Sequence, residues 1–219
     1  MGLREMAVVE IWESIKPGET VLLERIGEGD ATTGLIHTIN WALSREYRVI
    51  VIDILDSFPT LVAKMGMKGF DTSKLQSVEV IKVGGSKDAG NVIGRIDEIS
   101  EATILSRKFK SLYNPIVASS SKRILTVILG LEKIFLASGM SERDAQIILS
   151  HLAGYVGMEG RTGIYIIKPG ILPEEKLFLV KLLEDIATTV IRSSKVGRLA
   201  EFHIVKSLNR DLEGVLIRV

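Results

Sequence analysis

Residues 21–34 read Val-Leu-Leu-Glu-Arg-Ile-Gly-Glu-Gly-Asp-Ala-Thr-Thr-Gly. The apolar run at the start predicts a buried strand that ends near Glu24 and Arg25. The glycines and acidic residues that follow predict a loop, and Thr32 or Thr33 is a suitable N-cap for a helix. The apolar stripe of that helix is formed by Leu35, Ile36, Ile39, Ala42 and Leu43. The segment therefore predicts a strand, a loop and a helix in succession, as at the start of a βαβ unit.

The same alternation continues along the chain. Further buried strands are predicted at residues 49–52, 78–83, 124–129 and 163–167. Helices are predicted at residues 57–65, 101–112, 141–156 and 173–193, and the segment 91–99 fits either a helix or a strand. Asp56 or Ser57 is a suitable N-cap for the first of these helices, and Ser141 is one for the third. The strands are continuously apolar rather than alternating, which indicates burial on both faces, as in a parallel sheet.

The end of the chain has a different pattern. Residues 198–207 and 215–219 predict an antiparallel hairpin across the turn-forming residues 209–214. No proline-rich or serine-rich linker divides the sequence, so residues 1–219 are interpreted as a single domain. The predicted fold is a three-layer α/β domain with a mostly parallel sheet and a terminal antiparallel hairpin.

Composition excludes several classes of protein. The 219 residues contain no cysteine, which excludes disulfides, thiolate metal sites and a cysteine nucleophile. The 28 basic and 27 acidic side chains give a net charge of +1, which argues against a dedicated nucleic-acid or membrane-surface binder. The sequence shows no secretory signal and no apolar run near the roughly 18 residues that span a bilayer, so we expect a cytoplasmic protein. Rare glutamine and asparagine are typical of heat-adapted proteins.

Two pairs of segments carry a resemblance to known proteins. Lys16–Glu24 and Tyr47–Asp53 resemble the first two strands of the RecA/KaiC-like branch of the P-loop ATPases. More closely, Ile52–Asp56 and Ile81–Gly85 resemble an uncharacterised archaeal family related to that branch. The resemblance implies a RecA-like fold, a nucleotide-binding loop within residues 27–34 and a homo-oligomer.

That loop departs from the P-loop pattern. The resemblance assigns nucleotide binding to Gly27, Gly29, Thr32, Thr33 and Gly34. A P-loop reads G-x-x-x-x-G-K-[ST], in which the lysine reaches the phosphates and the hydroxyl binds Mg²⁺. Here Thr32, Thr33 and Gly34 stand where the second glycine, the lysine and the hydroxyl belong. Glu28 and Asp30 add negative charge, which opposes a phosphate. The sequence therefore predicts a degenerate Walker A motif.

The second ATPase motif is also altered. A Walker B aspartate is expected at the end of the strand 124–129, but the first carboxylate after that strand is Glu132. This pattern favours a domain that kept the fold and lost the ATPase chemistry, with no catalytic residue assigned. A shifted, divergent nucleotide site is the alternative.

Polar residues follow several of the predicted strands. Sites in open α/β sheets lie at the carboxyl ends of the strands, which form one edge of the sheet. The candidates at this edge are Glu24, Arg25, Asp53, Asp56, Glu132, Lys133 and Lys168. The carboxylates are suited to bind a metal or position a water, and the resemblance gives Asp53 a general-base position. The competing interpretation is solvated loops in which these carboxylates pair with Arg25 and Lys168.

Other polar residues carry weaker signals. His37, His151 and His203 stand at no metal-ligand spacing, so no metal and no cofactor are predicted. Basic residues at 107–110 with 122–123, and at 192–198, suit contact with nucleic acid but are interpreted as solvated faces.

Three functions remain open. The favoured one is a non-catalytic domain that regulates, or that binds a protein or peptide in a groove or by β-augmentation at a sheet edge. The alternative is a divergent nucleotide-binding ATPase. The third is a nucleic-acid-associated factor.

Overall fold

The computed structural model describes residues 3–27, 31–137, 140–197 and 199–218, without the side chains of residues 3–8, 31 and 33. The strands are β1 Thr20–Arg25, β2 Arg48–Ile54, β3 Glu79–Val83, β4 Asn91–Ile96, β5 Ile124–Leu129, β6 Arg161–Ile167, β7 Thr189–Val196, β8 Leu199–Lys206 and β9 Leu216–Arg218. The helices are α1 Leu3–Ser14, α2 Ala31–Ser44, α3 Ser57–Met67, α4 Ala102–Ser119, α5 Leu131–Leu136, α6 Glu142–Ala153 and α7 Phe178–Ile186. Short 3₁₀ turns lie at Ser73–Ser77, Pro169–Ile171 and Glu174–Lys176.

One sheet joins the nine strands of the described chain in the order β4-β3-β2-β5-β6-β1-β7-β8-β9. All pairings from β4 to β7 are parallel, and the last two are antiparallel. This confirms the predicted mostly parallel sheet and its terminal antiparallel hairpin. The hairpin strand β8 also pairs with β7, so the antiparallel part continues the main sheet.

Helices cover both faces of the sheet. Leu22 packs into the core that α4, α5, α6 and α7 share, while its neighbours Val21 and Leu23 pack into the core beneath α1, α2 and α3. Successive residues of a strand point to opposite faces, so a strand buried on both faces needs an uninterrupted apolar run. The structure therefore has the predicted three layers, and explains why the strand segments were readable from the sequence.

The segment 173–193 differs most from its prediction. It was predicted as one long helix, but α7 ends at Ile186 and residues 189–196 form β7. Thr189, Val190 and Ile191 are β-branched and buried, and β7 lies between β1 and β8. Branched side chains favour this extended, enclosed position over a helix.

The end of α4 is also corrected. The helix was predicted to stop at residue 112, before Asn114 and Pro115, but it continues to Ser119 with the proline inside. Proline removes the N–H that would bond the carbonyl four residues earlier, here that of Ser111. Ser111 is exposed, so water can serve that carbonyl and the helix tolerates the loss.

Two predicted helix caps are wrong. α2 begins before Thr32, so Thr32 and Thr33 lie in its first turn rather than at its N-cap. The N-cap position of α3 is Asp56, whose backbone is left-handed with φ 57° and whose side chain makes no cap bond. Ser57 is the first residue of that helix.

Other elements follow the sequence more closely. Ser141 caps α6 through a reciprocal capping box with Asp144, as predicted, although α6 ends at Ala153 rather than at residue 156. The ambiguous segment 91–99 contains the strand β4. The patterns did not predict α1 or α5, and the six residues of α5 are too few for helical periodicity to be recognised. No helix in the described ranges is long and apolar enough to cross a bilayer.

Candidate functional site

The candidate carboxylates at the carboxyl edge fall into separate environments. Asp53 and Asp56 lie together near the ends of β2 and β3. Glu24 is the penultimate residue of β1 and forms an ion pair with Arg192 of β7. Glu132 lies on α5 and lines a cavity between the ends of β1, β5 and β6. The predicted single cluster is therefore divided into three.

Asp53, Asp56 and Lys82 form a buried ion cluster, here called the lysine clamp. Lys82 is 1% exposed and Asp53 is 0% exposed. The Lys82 Nζ donates to Asp53 Oδ2 at 2.8 Å, to Asp56 Oδ1 at 2.8 Å and to the backbone carbonyl of Lys87. Asp53 Oδ1 accepts the backbone N–H of Phe58 at 2.8 Å. All three ammonium donors and both Asp53 oxygens are therefore occupied.

The lysine clamp also holds the loop after β3. Asp56 accepts the backbone N–H groups of Ser86 at 2.9 Å and Lys87 at 3.0 Å. Gly85 has φ 77°, and a Cβ there would lie 2.9 Å from the Asp56 backbone nitrogen. Leu55 and Asp56 are themselves left-handed, with φ 50° and 57°. Such backbone strain persists only where surrounding contacts hold it.

The charges in the lysine clamp reinforce one another. Burial acts to raise the pKa of Asp56, but hydrogen bonds from Lys82, Ser86 and Lys87 outweigh it and lower this pKa to about 2. Burial acts to lower the pKa of Lys82, but hydrogen bonds to Asp53 and Asp56 raise it. For Asp53 and Asp56, the interpretation that the carboxylates pair with Arg25 and Lys168 is wrong, because Lys82 is their partner. A lysine inside the apolar run of β3 was the sequence signal for this cluster.

Glu24 belongs to a different ion-pair group. Arg192 on β7 donates through Nε to Glu24 Oε2 at 3.0 Å and through Nη2 to Glu184 Oε1 at 2.9 Å. Burial raises the pKa of Glu24, the Arg192 hydrogen bond opposes this, and the charge of Glu184 adds to it. Arg192, which the sequence placed in a basic patch, is thus tied to two carboxylates.

A polar cavity of about 160 Å³ lies at the carboxyl edge. Its polar lining, here called the basic pocket, consists of Arg25, Ser57, Thr60, Lys64, Glu132 and Lys133. Arg25 comes from the end of β1, the next three residues from α3 and the last two from α5. The ends of β5 and β6 contribute apolar residues. Three basic side chains therefore surround one carboxyl group.

A glycine turn builds one wall of the basic pocket. Gly130 joins β5 to α5 with φ 83°, and a Cβ there would lie 2.8 Å from the carbonyl oxygen of Ile54 and still closer to Ser57 Oγ. Only glycine permits this approach and this backbone angle. The turn therefore brings Glu132 and Lys133 against the start of α3.

Glu132 is the exceptional residue of the basic pocket. It is 7% exposed, and its buried Oε2 has no hydrogen-bond partner among the described residues. Burial raises the pKa of Glu132, although the backbone N–H groups of Glu132 and Lys168 and the charges of Lys133 and Arg25 oppose this. The predicted candidate Lys168 thus meets Glu132 through its backbone. Sequence reasoning did not identify Lys64 as a pocket residue.

The predicted nucleotide-binding loop is only partly described. Gly27 lies in a turn with φ 61°, and Thr32 is fully buried within α2. Gly34 also lies within α2, where an added Cβ would meet the Phe202 ring. Gly29 and the Thr33 side chain lie outside the described residues. Nucleotide binding by these five residues stays a prediction.

The histidines are dispersed. His37 lies on α2, His151 on α6 and His203 on β8. Burial lowers the pKa of His151, and the positive charge of Lys110 adds to this effect. Among the residues that the structure describes, no group of three or more His, Asp or Glu side chains is placed to hold a metal ion.

Comparison with known sequences shows the family. The chain belongs to the family described as Pyrococcus protein of unknown function, DUF257, whose model matches residues 10–218. No curated protein matches the sequence. The predicted membership of an archaeal family is thereby confirmed.

Two solved structures are similar to this chain over most of its length. The Pyrococcus horikoshii OT3 protein PH0250 is 25% identical, with a TM-score of 0.80 over 96% of this chain and 97% of that one. The KaiC-like protein PH0186 of the same organism is 18% identical, with a TM-score of 0.60 over 92% of this chain and 84% of that one. The second similarity concerns the fold alone, and it confirms the predicted RecA/KaiC-like fold.

Proposed function

We propose that this chain is a non-catalytic RecA-like domain that binds a small anion in the basic pocket and acts in regulation. The observation that carries the proposal is the pocket itself: Arg25, Lys64 and Lys133 surround a cavity of about 160 Å³ at the carboxyl edge. Ligands of open α/β sheets bind at this edge. Concentrated positive charge attracts anions.

The lysine clamp supports a role without hydrolysis. Asp53 is fully buried, and both of its oxygens already accept hydrogen bonds. Asp56 is held by Lys82 and by two backbone N–H groups. A general base must reach the proton that it removes, and the fully buried Asp53 does not meet this condition. Asp56 is a weak base because its pKa is lowered to about 2. The sequence also has threonine where a P-loop has its lysine.

The size of the cavity favours a small ligand. Pockets for drug-sized ligands hold roughly 300–1,000 Å³, and the cavity here holds about 160 Å³. Ser57 and Thr60 add hydroxyl oxygens beside the basic side chains. An oxyanion of the size of phosphate suits this volume better than a complete nucleotide.

Titration of the full chain tests the proposal. Thermal unfolding and calorimetry are measured with millimolar inorganic phosphate, ADP and Mg-ATP, together with an ATP hydrolysis assay. We expect phosphate to raise the unfolding temperature and hydrolysis to stay at the buffer rate. Lys64→Glu removes an exposed pocket cation that makes no hydrogen bond to the described residues, so phosphate binding falls while the fold is kept. The matched control, Lys122→Glu, changes the same charge on an exposed site away from the pocket and retains binding.

A divergent nucleotide-binding ATPase is the second candidate. The observation in its favour is that the basic pocket begins at Arg25, two residues before the glycine-rich segment. This candidate requires a larger thermal shift with Mg-ATP than with phosphate, and hydrolysis above background. Either result would replace the non-catalytic proposal. The predicted protein or peptide partner and the predicted homo-oligomer stay predictions.

A further inference from the structure

The unpartnered oxygen of Glu132 has a consequence for what the basic pocket accepts. Resting on the proposed function above, we propose that the pocket selects an oxyanion that carries its own proton. Its ligand would be a hydrogenphosphate group, free or esterified. Glu132 would be the specificity-determining residue, with Oε2 accepting a hydrogen bond from the P–OH.

Glu132 has one carboxyl oxygen whose hydrogen-bonding capacity is not used. Oε2 is buried and has no partner in the described part of the chain. Buried polar atoms are nearly always hydrogen-bonded, and an unmet one is costly. A ligand that brings a donor to this oxygen would satisfy it.

The two hydroxyls of the basic pocket are already engaged. Ser57 Oγ donates to the carbonyl of Ile54 at 2.6 Å, and Thr60 Oγ1 donates to the carbonyl of Asp56 at 2.7 Å. A hydroxyl has one hydrogen to donate. Neither hydroxyl can therefore supply Glu132 without giving up its present bond.

The basic pocket combines three basic side chains with one carboxyl group. Three cations attract an anion, whereas an ionised carboxyl repels one that lacks a hydrogen. An oxyanion with a P–OH reconciles the two, because its other oxygens accept from Lys64 and Lys133 while its hydroxyl faces Glu132. A ligand ammonium group would also satisfy Glu132, but the three cations oppose it.

Phosphate and sulfate provide the test. They have the same tetrahedral shape, but near pH 7 phosphate carries a proton and sulfate does not. Calorimetric titration of the full chain is run with sodium phosphate, glycerol phosphate and sodium sulfate at matched ionic strength. We expect phosphate to bind more tightly than sulfate by about tenfold to one hundredfold, the equivalent of one hydrogen bond to a charged group. The affinity of glycerol phosphate is first corrected for the minority of the ester that carries a P–OH near pH 7, because the second pKa of a phosphate monoester is about 6. After that correction, tighter binding of inorganic phosphate indicates a free anion, and tighter binding of glycerol phosphate indicates an ester.

The variant Glu132→Gln identifies the residue responsible. The amide has nearly the same shape but can donate, so sulfate binding rises and the discrimination collapses. An unchanged unfolding temperature without ligand shows that the variant is folded. Equal binding of phosphate and sulfate by the native chain overturns the selectivity while leaving anion binding intact. Persistent discrimination in Glu132→Gln overturns the role of Glu132. Binding of none of the anions overturns the proposed function as well.

Discussion

Lys82 and Arg161 are two buried cations of the same sheet with different surroundings. Lys82, near the carboxyl edge, contacts two carboxylates. Arg161 is the first residue of β6, at the opposite edge, and is 2% exposed. No carboxylate of the described residues forms an ion pair with Arg161. One cation is therefore neutralised by opposite charge, and the other is held by neutral groups.

Tyrosines supply the surroundings of Arg161. Its Nε donates to the Tyr113 hydroxyl at 2.8 Å and its Nη2 to the Tyr165 hydroxyl at 3.2 Å. The guanidinium lies over the rings of Tyr155 and Tyr165, 5.2 and 5.8 Å from their centroids. Burial raises the pKa of Tyr155 to about 12, with the neighbouring phenol of Tyr113 adding to the effect. Weakly hydrated arginine suits such an aromatic site, and a lysine ammonium does not.

Removal of the two cations would leave different groups without a partner. Loss of Lys82 strands a buried carboxylate, whereas loss of Arg161 strands only neutral hydroxyls. A buried unpaired charge costs far more than a buried unpaired hydroxyl. The two sites therefore contribute differently to stability although both cations are equally enclosed.

The largest effect is expected from Lys82→Met. It leaves Asp53 buried without its counter-ion, and we expect the free energy of unfolding to fall by about 3–5 kcal/mol. Denaturant unfolding measures the change. The double variant Lys82→Met with Asp53→Asn removes the stranded charge, so part of the loss is recovered. If the double variant were no more stable than Lys82→Met, the stranded-charge explanation would be wrong.

A smaller effect is expected from Arg161→Met. The Tyr113 hydroxyl keeps its contact with Thr126 Oγ1, and the apolar replacement fills much of the site. We expect a loss of about 1–3 kcal/mol, measured by the same denaturant unfolding. A loss equal to that of Lys82→Met would contradict the distinction between the two cations.

We expect acid to reduce the stability that Asp56 contributes at the lysine clamp. The pKa of Asp56 is lowered from 3.8 to about 2 in the folded chain. The folded state thus binds this proton less readily than the unfolded state. Stability from Asp56 is complete above about pH 4 and is lost as pH falls through 2, by about 2 kcal/mol at most for this partly exposed group. Unfolding measured from pH 5 to 2 should show this slope in Arg161→Met, but a reduced slope in Lys82→Met. Equal slopes in both variants would remove Asp56 as the source.

The smallest loss of stability is expected from Gly163→Ala, which reduces the space for the Arg161 guanidinium. A Cβ at Gly163 would lie 2.6 Å from Arg161 Nη2, at the flexible end of that side chain. We expect Gly163→Ala to cost about 1–2 kcal/mol in the native chain and less in Arg161→Met, because the clash is then absent. A double-mutant cycle measures this coupling. Additive effects would show that Arg161 is not the obstacle.

Much of the fold was readable from the sequence because the strands are buried on both faces. The runs at 49–52 and 124–129 predict β2 and β5 directly. The pattern failed where tertiary position decided the outcome. Residues 189–193 were predicted as helix, but they form part of β7, which lies between β1 and β8. Pro115 was interpreted as a stop signal for the helix, but α4 continues through it because this part of the helix is exposed.

The candidate site was less predictable than the fold. Glu132 was recognised as the first carboxylate after β5, although its position on a helix was not. Lys64 and Lys82 were missed, since the packing of separate elements brings Lys64 to the basic pocket and Lys82 to its two carboxylates. Local spacing describes neighbours on one element, whereas the lysine clamp and the basic pocket each join residues from several elements.

The position of β1 in the sheet affects how the chain folds during synthesis. Both of its neighbours come late in the sequence: Leu22 pairs with Tyr165 of β6 and with Val190 of β7. Such long-range pairings require large loops to close and slow the formation of the sheet. During synthesis β1 emerges early and stays without its neighbours until β6 and β7 follow. A nascent chain ending before residue 161 would therefore expose an apolar strand that a chaperone can bind.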